Sequence, residues 1–201
     1  MILALPPELQ APGLVPLPIH PGMTPEERGW AVLAGVADPE VPAVSVVDLG
    51  IVRELRSEAG GLVVVLTPTY SGCPATEQIE RSVLHALEAA GLGPVRAELR
   101  RAPAWTTDWI TEPGRQRLLA YGIAPPGACG SQAGEGAAVP REAPIRFMPR
   151  RDAAPGLPQA IACPRCGSHH TEQLSAFGST ACKSLWRCVA CREPFEHFKP
   201  I

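Results

Sequence analysis

The chain has 201 residues, with 18 Lys and Arg against 20 Asp and Glu and a formal net charge of −2. This length carries one good core and a small accessory module. A nucleic-acid binder usually shows a strongly basic face, and no basic run stands in this sequence; no stretch approaches the roughly 18 apolar residues of a membrane span.

Residues 1–23 hold six prolines and read as an extended, poorly ordered arm. "MILALPPELQ" has no positive n-region, so a secretory signal is not expected. In "TPEERGWAVLAGVAD", Thr24 can N-cap, Pro25 suits the first helical position and Glu27 completes a capping box. Trp30, Leu33, Ala34 and Ala37 recur at helical spacing, and the helix is expected to stop at "DPEVP". Two strands follow, near 51–57 and 62–67, joined by a hairpin at Gly60-Gly61. "VVVL" is a continuous apolar run, as in a strand covered on both faces.

"TPTYSGCPATEQI" then places a single thiol, Cys73, directly before a proline. A helix is predicted from Pro74, with Ile79, Val83, Leu87 and Ala90 on one stripe and Gly91 as its stop. Cys73 would be its N-cap, where unpaired backbone N–H groups stabilise a thiolate and lower the thiol pKa. Gly72 would leave the sulfur accessible. Such a thiol suits iron binding, cluster transfer or nucleophilic attack; the alternative is a small buried apolar residue. Upstream, Asp38, Glu40 and Asp48 offer hard oxygen ligands, or else an ordinary helix stop and an ordinary turn. "PVRAELRRAP" alternates as a third strand, and "WTTDWITEPGRQRLLAYG" runs from loop into short helix.

Over 124–158, twenty of 35 residues are Ala, Pro or Gly, a composition that reads as a flexible linker. It contains a stray Cys129. Beyond it stand two CxxC pairs, Cys163/Cys166 and Cys188/Cys191. Four thiolates make a closed tetrahedral site, and a module of this size needs the metal to fold. Zinc is expected, with iron–sulfur ligation as the alternative. Cys182 is read as a packed thiol rather than a substitute ligand, and His169 and His170 as exposed loop residues. Seven cysteines, an odd number with four in CxxC pairs, point to a reducing cytoplasm rather than a disulfide framework. The near balance of charge in the module, five Lys/Arg against three Asp/Glu over 159–201, favours a protein partner over nucleic acid.

Together "DPEVPAVSVVDLGIV" and "TPTYSGCPATEQI" resemble the SufT-like iron–sulfur assembly domain family. The resemblance implies a compact α+β fold and carries six motif residues onto this chain: Asp38, Glu40, Asp48, Thr67, Thr69 and Cys73. Cys73 matches the family's cluster-handling thiol, where iron or an iron–sulfur cluster would be held transiently. "RRAPAWTTDWITEPGRQRLLAYGIAPP" and the terminal "CPRCGS…CKSLWRCVACREPFEHFKP" further resemble the D-protein family of phenylacetate degradation, encoded with the phenylacetyl-CoA epoxidase. That resemblance implies a cytoplasmic accessory component of a multicomponent monooxygenase. Its partners would be the di-iron oxygenase and iron–sulfur reductase components, with general iron–sulfur assembly proteins alongside, and neither nucleic acid nor membrane. No Glu-x-x-His pair and no G-x-G-x-x-G fingerprint points to oxygen or nucleotide chemistry of its own.

The expectation is an α+β protein: an arm over 1–23, a SufT-like domain over 24–123 (helix, β-hairpin, helix, strand, helix), a linker over 124–158 and a four-cysteine zinc ribbon over 159–201. The favoured role is an assembly factor, not an enzyme. A structural or regulatory subunit and a thiol enzyme using Cys73 as nucleophile are the alternatives. The linker is expected to keep damage in the ribbon from reaching the first domain.

Overall fold

A computed structural model of the chain describes residues 14, 16–70, 72, 74–127 and 161–200. Helix α1 (Pro25–Leu33) begins with the expected capping box: Glu27 N donates to Thr24 Oγ1, and the Glu27 carboxylate accepts from Thr24 N. It ends sooner than the sequence suggests. The chain turns at Ala34-Gly35, so that Asp38 N can donate to Val44 O and Val46 N to Val36 O. This short pairing overrides the apolar periodicity, and the buried face becomes Gly29, Ala31, Val32 and Leu33, with Trp30 half-exposed. The expected arm needs a second correction. Leu14 is buried, Ile19 packs on the core, and Leu17 N donates to Ala31 O near the end of α1. That helix carbonyl would otherwise lack a partner. Residues 1–13 and 15 lie outside the described residues.

Strands β1 (Val52–Glu58) and β2 (Gly61–Leu66) form the expected antiparallel hairpin. Gly61 has φ +128°, and a Cβ there would collide with Pro94 O, so glycine alone fits. Helix α2 (Thr76–Ala89) crosses back, and β3 (Val95–Leu99) pairs parallel to β2, giving the order β1-β2-β3. One face of β2 (Leu62, Val64, Leu66) joins α1 and α2 residues in the main core. The other face is covered by charge. Val63 lies between Arg56 and Arg96, and Val65 between Glu54 and Glu98. Ion pairs Arg56–Glu98 (2.5 Å), Arg96–Glu58 (2.7 Å) and Arg100–Glu54 (2.8 Å) bind this ladder across the sheet. The two valines stay dry under the arginine stems although the surface is polar.

After a single 3-10 turn (Thr107–Trp109), α3 (Glu112–Tyr121) is capped by Thr111 and closed by left-handed Gly122. Strand β4 (Ile123–Ala124) follows at the expected start of the linker. It pairs parallel with β7 (Pro194–Phe198), which continues into β6 (Lys183–Cys188) and β5 (Thr171–Ser175) as a four-stranded sheet. The ribbon is thus built onto the first domain. Phe198 and Cys182 belong to the main core, and the Phe198 ring lies 6.0 Å from that of Trp105. This corrects the expectation that the two modules are energetically separate: apolar side chains of both share one water-free interior. No helix among the described residues is long and apolar enough to cross a membrane.

Candidate functional site

The four cysteines of the CxxC pairs come together, their sulfurs all within 4.8 Å of one another. Two tight turns supply them. Gly167, at φ +73°, lets its N–H donate to Cys163 O, and Arg165 N points at Cys163 Sγ (3.4 Å). In the second turn Cys191 N faces Cys188 Sγ (3.5 Å), and this N–H pulls the Cys188 thiol down to about 7. The backbone N–H aimed at Cys188 favours its thiolate, the form that binds metal, while burial and the neighbouring sulfurs push the Cys166 and Cys191 thiols up.

The spacing discriminates between linkages. Cys163 and Cys191 sulfurs are 3.8 Å apart, and Cys166 and Cys188 sulfurs 3.6 Å. A disulfide needs about 2.05 Å. A zinc ion with bonds of about 2.3 Å at tetrahedral angles sets its sulfurs about 3.8 Å apart. A polynuclear cluster interposes several iron and sulfide atoms and spreads its thiolates further. The residues therefore fit one tetrahedral ion, which when bound supplies structural closure.

Cys182 stands outside this group. It is buried, its sulfur 3.0 Å from Thr180 Oγ1, and burial pushes its thiol pKa up. Cys182→Ser is expected to keep a full equivalent of metal while costing about 1–3 kcal/mol for burying a hydroxyl. Metal analysis of the purified variant, set beside its melting curve, checks both. His169 and His170 are exposed and not among the clustered ligands.

The residues read as iron-handling divide into three places. Asp38 is buried and accepts from the N–H groups of Glu40 (2.9 Å) and Val41 (2.8 Å). Burial nevertheless raises its pKa, and the positive charge of Lys183 in the ribbon opposes that rise. Lys183 is itself buried, paired with Glu196 at 2.8 Å, and the charge of Glu40 reaches Cys182. Asp38 and Glu40 thus stand at the seam between domain and ribbon.

Asp48 is a structural tie. It accepts from Ser45 N (2.9 Å), Thr111 Oγ1 (3.2 Å) and Arg117 Nη1 (2.6 Å), and so fastens α3 to the loop before β1. Gly50 in that loop has φ +67°, and a Cβ there would come within 2.6 Å of Trp109 O. The loop accordingly seats the 3-10 turn as well.

Thr67 and Thr69 line a cleft of about 220 Å³ with Pro68, Tyr70, Arg101, Ala104 and Trp105. Parallel pairing explains the cleft. Leu66 is in register with Leu99, so the segments leaving the carboxyl ends of β2 and β3 emerge side by side, the usual place for a ligand in a parallel sheet. Arg101 and Trp105 were missed as site residues. Their signal lay in "RRAPAW", but it needed the β2–β3 register to become spatial. Trp105 is anchored by its indole N–H to Leu49 O at 2.8 Å.

Cys73, like Ser71 and Cys129, lies outside the described residues. Helix α2 starts at Thr76 with Ala75 as N-cap and no side-chain cap, two residues later than the N-cap expected at Cys73. Pro74 and Ala75 form a turn ahead of it.

Two families match this arrangement. Residues 27–99 match the iron–sulfur cluster assembly protein family, and residues 149–199 the PaaD zinc beta ribbon domain. A domain of unknown function, DUF59, from Bacillus anthracis is 26% identical, covering 47% of this chain and 91% of its own, with a TM-score of 0.43. A conserved hypothetical protein of Thermotoga maritima is also 26% identical, covering 48% of this chain and 98% of its own, with a TM-score of 0.40. A protein of Escherichia coli (strain K12), provisionally named as the D subunit of 1,2-phenylacetyl-CoA epoxidase, is 44% identical over 172 residues, 86% of this chain and 91% of its own. With both modules matched in order and this identity along most of its length, the chain belongs to the D-protein family of the phenylacetyl-CoA epoxidase, an iron–sulfur assembly domain joined to a zinc ribbon.

Proposed function

We propose that the chain is a maturation factor for the phenylacetyl-CoA epoxidase system, handling iron or an iron–sulfur cluster on its way to the oxygenase or reductase component. The observation that carries this reading is the match of 27–99, a stretch that includes Cys73, to iron–sulfur cluster assembly proteins within a chain of the D-protein family. Cys73 is the handling thiol, and Thr67 and Thr69, a few residues earlier in the sequence, line the cleft. Asp48 acts at one remove, by holding the surrounding loops. Asp38 and Glu40 hold the ribbon, whose four cysteines keep one zinc ion as a structural cofactor. The ribbon offers the docking surface for an epoxidase component, with general iron–sulfur assembly proteins as upstream donors. Catalysis belongs to the partners, and the reducing cytoplasm is the compartment that suits these thiols.

Cys73→Ser is expected to leave the fold and the ribbon metal intact while abolishing support of epoxidase activity in cells growing on phenylacetate. Normal growth of that strain would refute the proposal. The relative's name as part of the epoxidase supports a second reading, a permanent non-catalytic component. Stoichiometry separates the two. A permanent component co-purifies in equal amounts with active epoxidase, whereas a maturation factor can be removed afterwards without loss of activity.

A further inference from the structure

We propose that the cleft between Thr67–Tyr70 and Arg101–Trp105 binds a small oxyanion, a carboxylate or a phosphate, carried on the incoming iron. This rests on the proposed function only for the identity of the cargo; the anion site itself stands on the geometry.

Arg56, Arg96 and Arg100 each meet a carboxylate on the open face of the sheet. Arg101 is the next residue along, and it leaves that ladder for the cleft. It is exposed, and no hydrogen bond or ion pair engages it among the described residues. Among the described residues no carboxylate lines the cleft. Its other polar groups are the hydroxyls of Thr67, Thr69 and Tyr70, and its remaining walls are Pro68, Ala104 and Trp105.

The sign of that charge selects the ligand. A bare iron cation is repelled by a guanidinium, whereas an anionic complex is attracted. A single thiolate such as Cys73 fills one coordination position of an iron ion, and the others must come from elsewhere. Oxygen anions are hard ligands suited to iron, and guanidinium grips carboxylate and phosphate alike through two parallel N–H bonds. A volume of about 220 Å³ is below that of a drug-sized pocket and matches a small chelator. Trp105 supplies a fixed wall, held by Leu49 O on one side and Phe198 on the other.

The test uses the full-length, zinc-loaded chain and two iron-free probes, citrate and inorganic phosphate, titrated separately by calorimetry. Saturable binding is expected, at least tenfold weaker in Arg101→Gln, partly recovered in Arg101→Lys and unchanged in Arg81→Gln on α2. Binding of citrate alone assigns a carboxylate carrier, and binding of phosphate alone a phosphate. Binding of neither at millimolar concentration, or binding indifferent to Arg101→Gln, overturns the proposal. Cys73→Ser keeps the two readings apart. If it leaves anion affinity intact but growth on phenylacetate is also normal, the maturation role fails and the anion site stands. If growth is lost and neither probe binds the wild-type chain, the reverse holds.

Discussion

Replacing Cys188 by serine is expected to empty the ribbon of metal and to lower the melting temperature of the whole chain. Cys188 is fully buried, its sulfur 3.6 Å from that of Cys166, and it sits at the end of β6. Structural zinc in small modules contributes about 10–16 kcal/mol of apparent binding free energy at neutral pH. A domain's net stability is only about 5–15 kcal/mol. The ribbon cannot survive that loss, and the damage does not stay within it, because β7 carries Phe198 into the core shared with α1 and β2. Metal content should fall from one equivalent to nearly none, and calorimetry should show one broadened transition at lower temperature. A full equivalent of zinc in the variant would overturn the ligand assignment. Two transitions, the upper one unmoved from wild type, would show that the modules are independent.

Phe198→Ala isolates the seam without touching a thiolate. The side chain is almost completely buried and packs against Trp105. Removing a buried phenylalanine costs about 3–5 kcal/mol, which for a chain of this size is roughly 10 °C in melting temperature. Zinc should be retained, since the four ligands remain. A melting temperature within about 1 °C of wild type would mean that Phe198 bears little of the seam.

Local signals made much of the fold legible. The capping box at Thr24, the hairpin at Gly60-Gly61 and the stripe Ile79–Val83–Leu87 rest on neighbours in the chain, and each appears where its chemistry predicts. The CxxC spacing likewise announced the sulfur cluster. What escaped depends on contacts distant in sequence. α1 stops at Leu33 because residues 36–38 pair with 44–46. Asp48 looked like a ligand or a turn and is a tie, because its partners Thr111 and Arg117 lie more than sixty residues away. The cleft residues Arg101 and Trp105 meet Thr67 only through the parallel register. The cover over Val63 and Val65 was unreadable because arginine and glutamate mark a surface in sequence, while their stems make a roof in space.

The β4–β7 pairing bears on how such a chain can vary. Strand β4 is two residues long and aligns Ile123 with Glu196 and Ala124 with His197, so it closes a loop that spans everything from Pro125 to Pro194. The entropy of closing a flexible loop grows only with the logarithm of its length, and doubling it costs about 0.6 kcal/mol. Lengthening the chain between β4 and β5 therefore costs the β4–β7 pairing little. A one-residue deletion between Tyr121 and Ala124 is another matter. It would turn Ile123 and Ala124 to opposite faces of their sheet, and because both are buried, isoleucine would be forced into the space of alanine and alanine would leave a void in that of isoleucine.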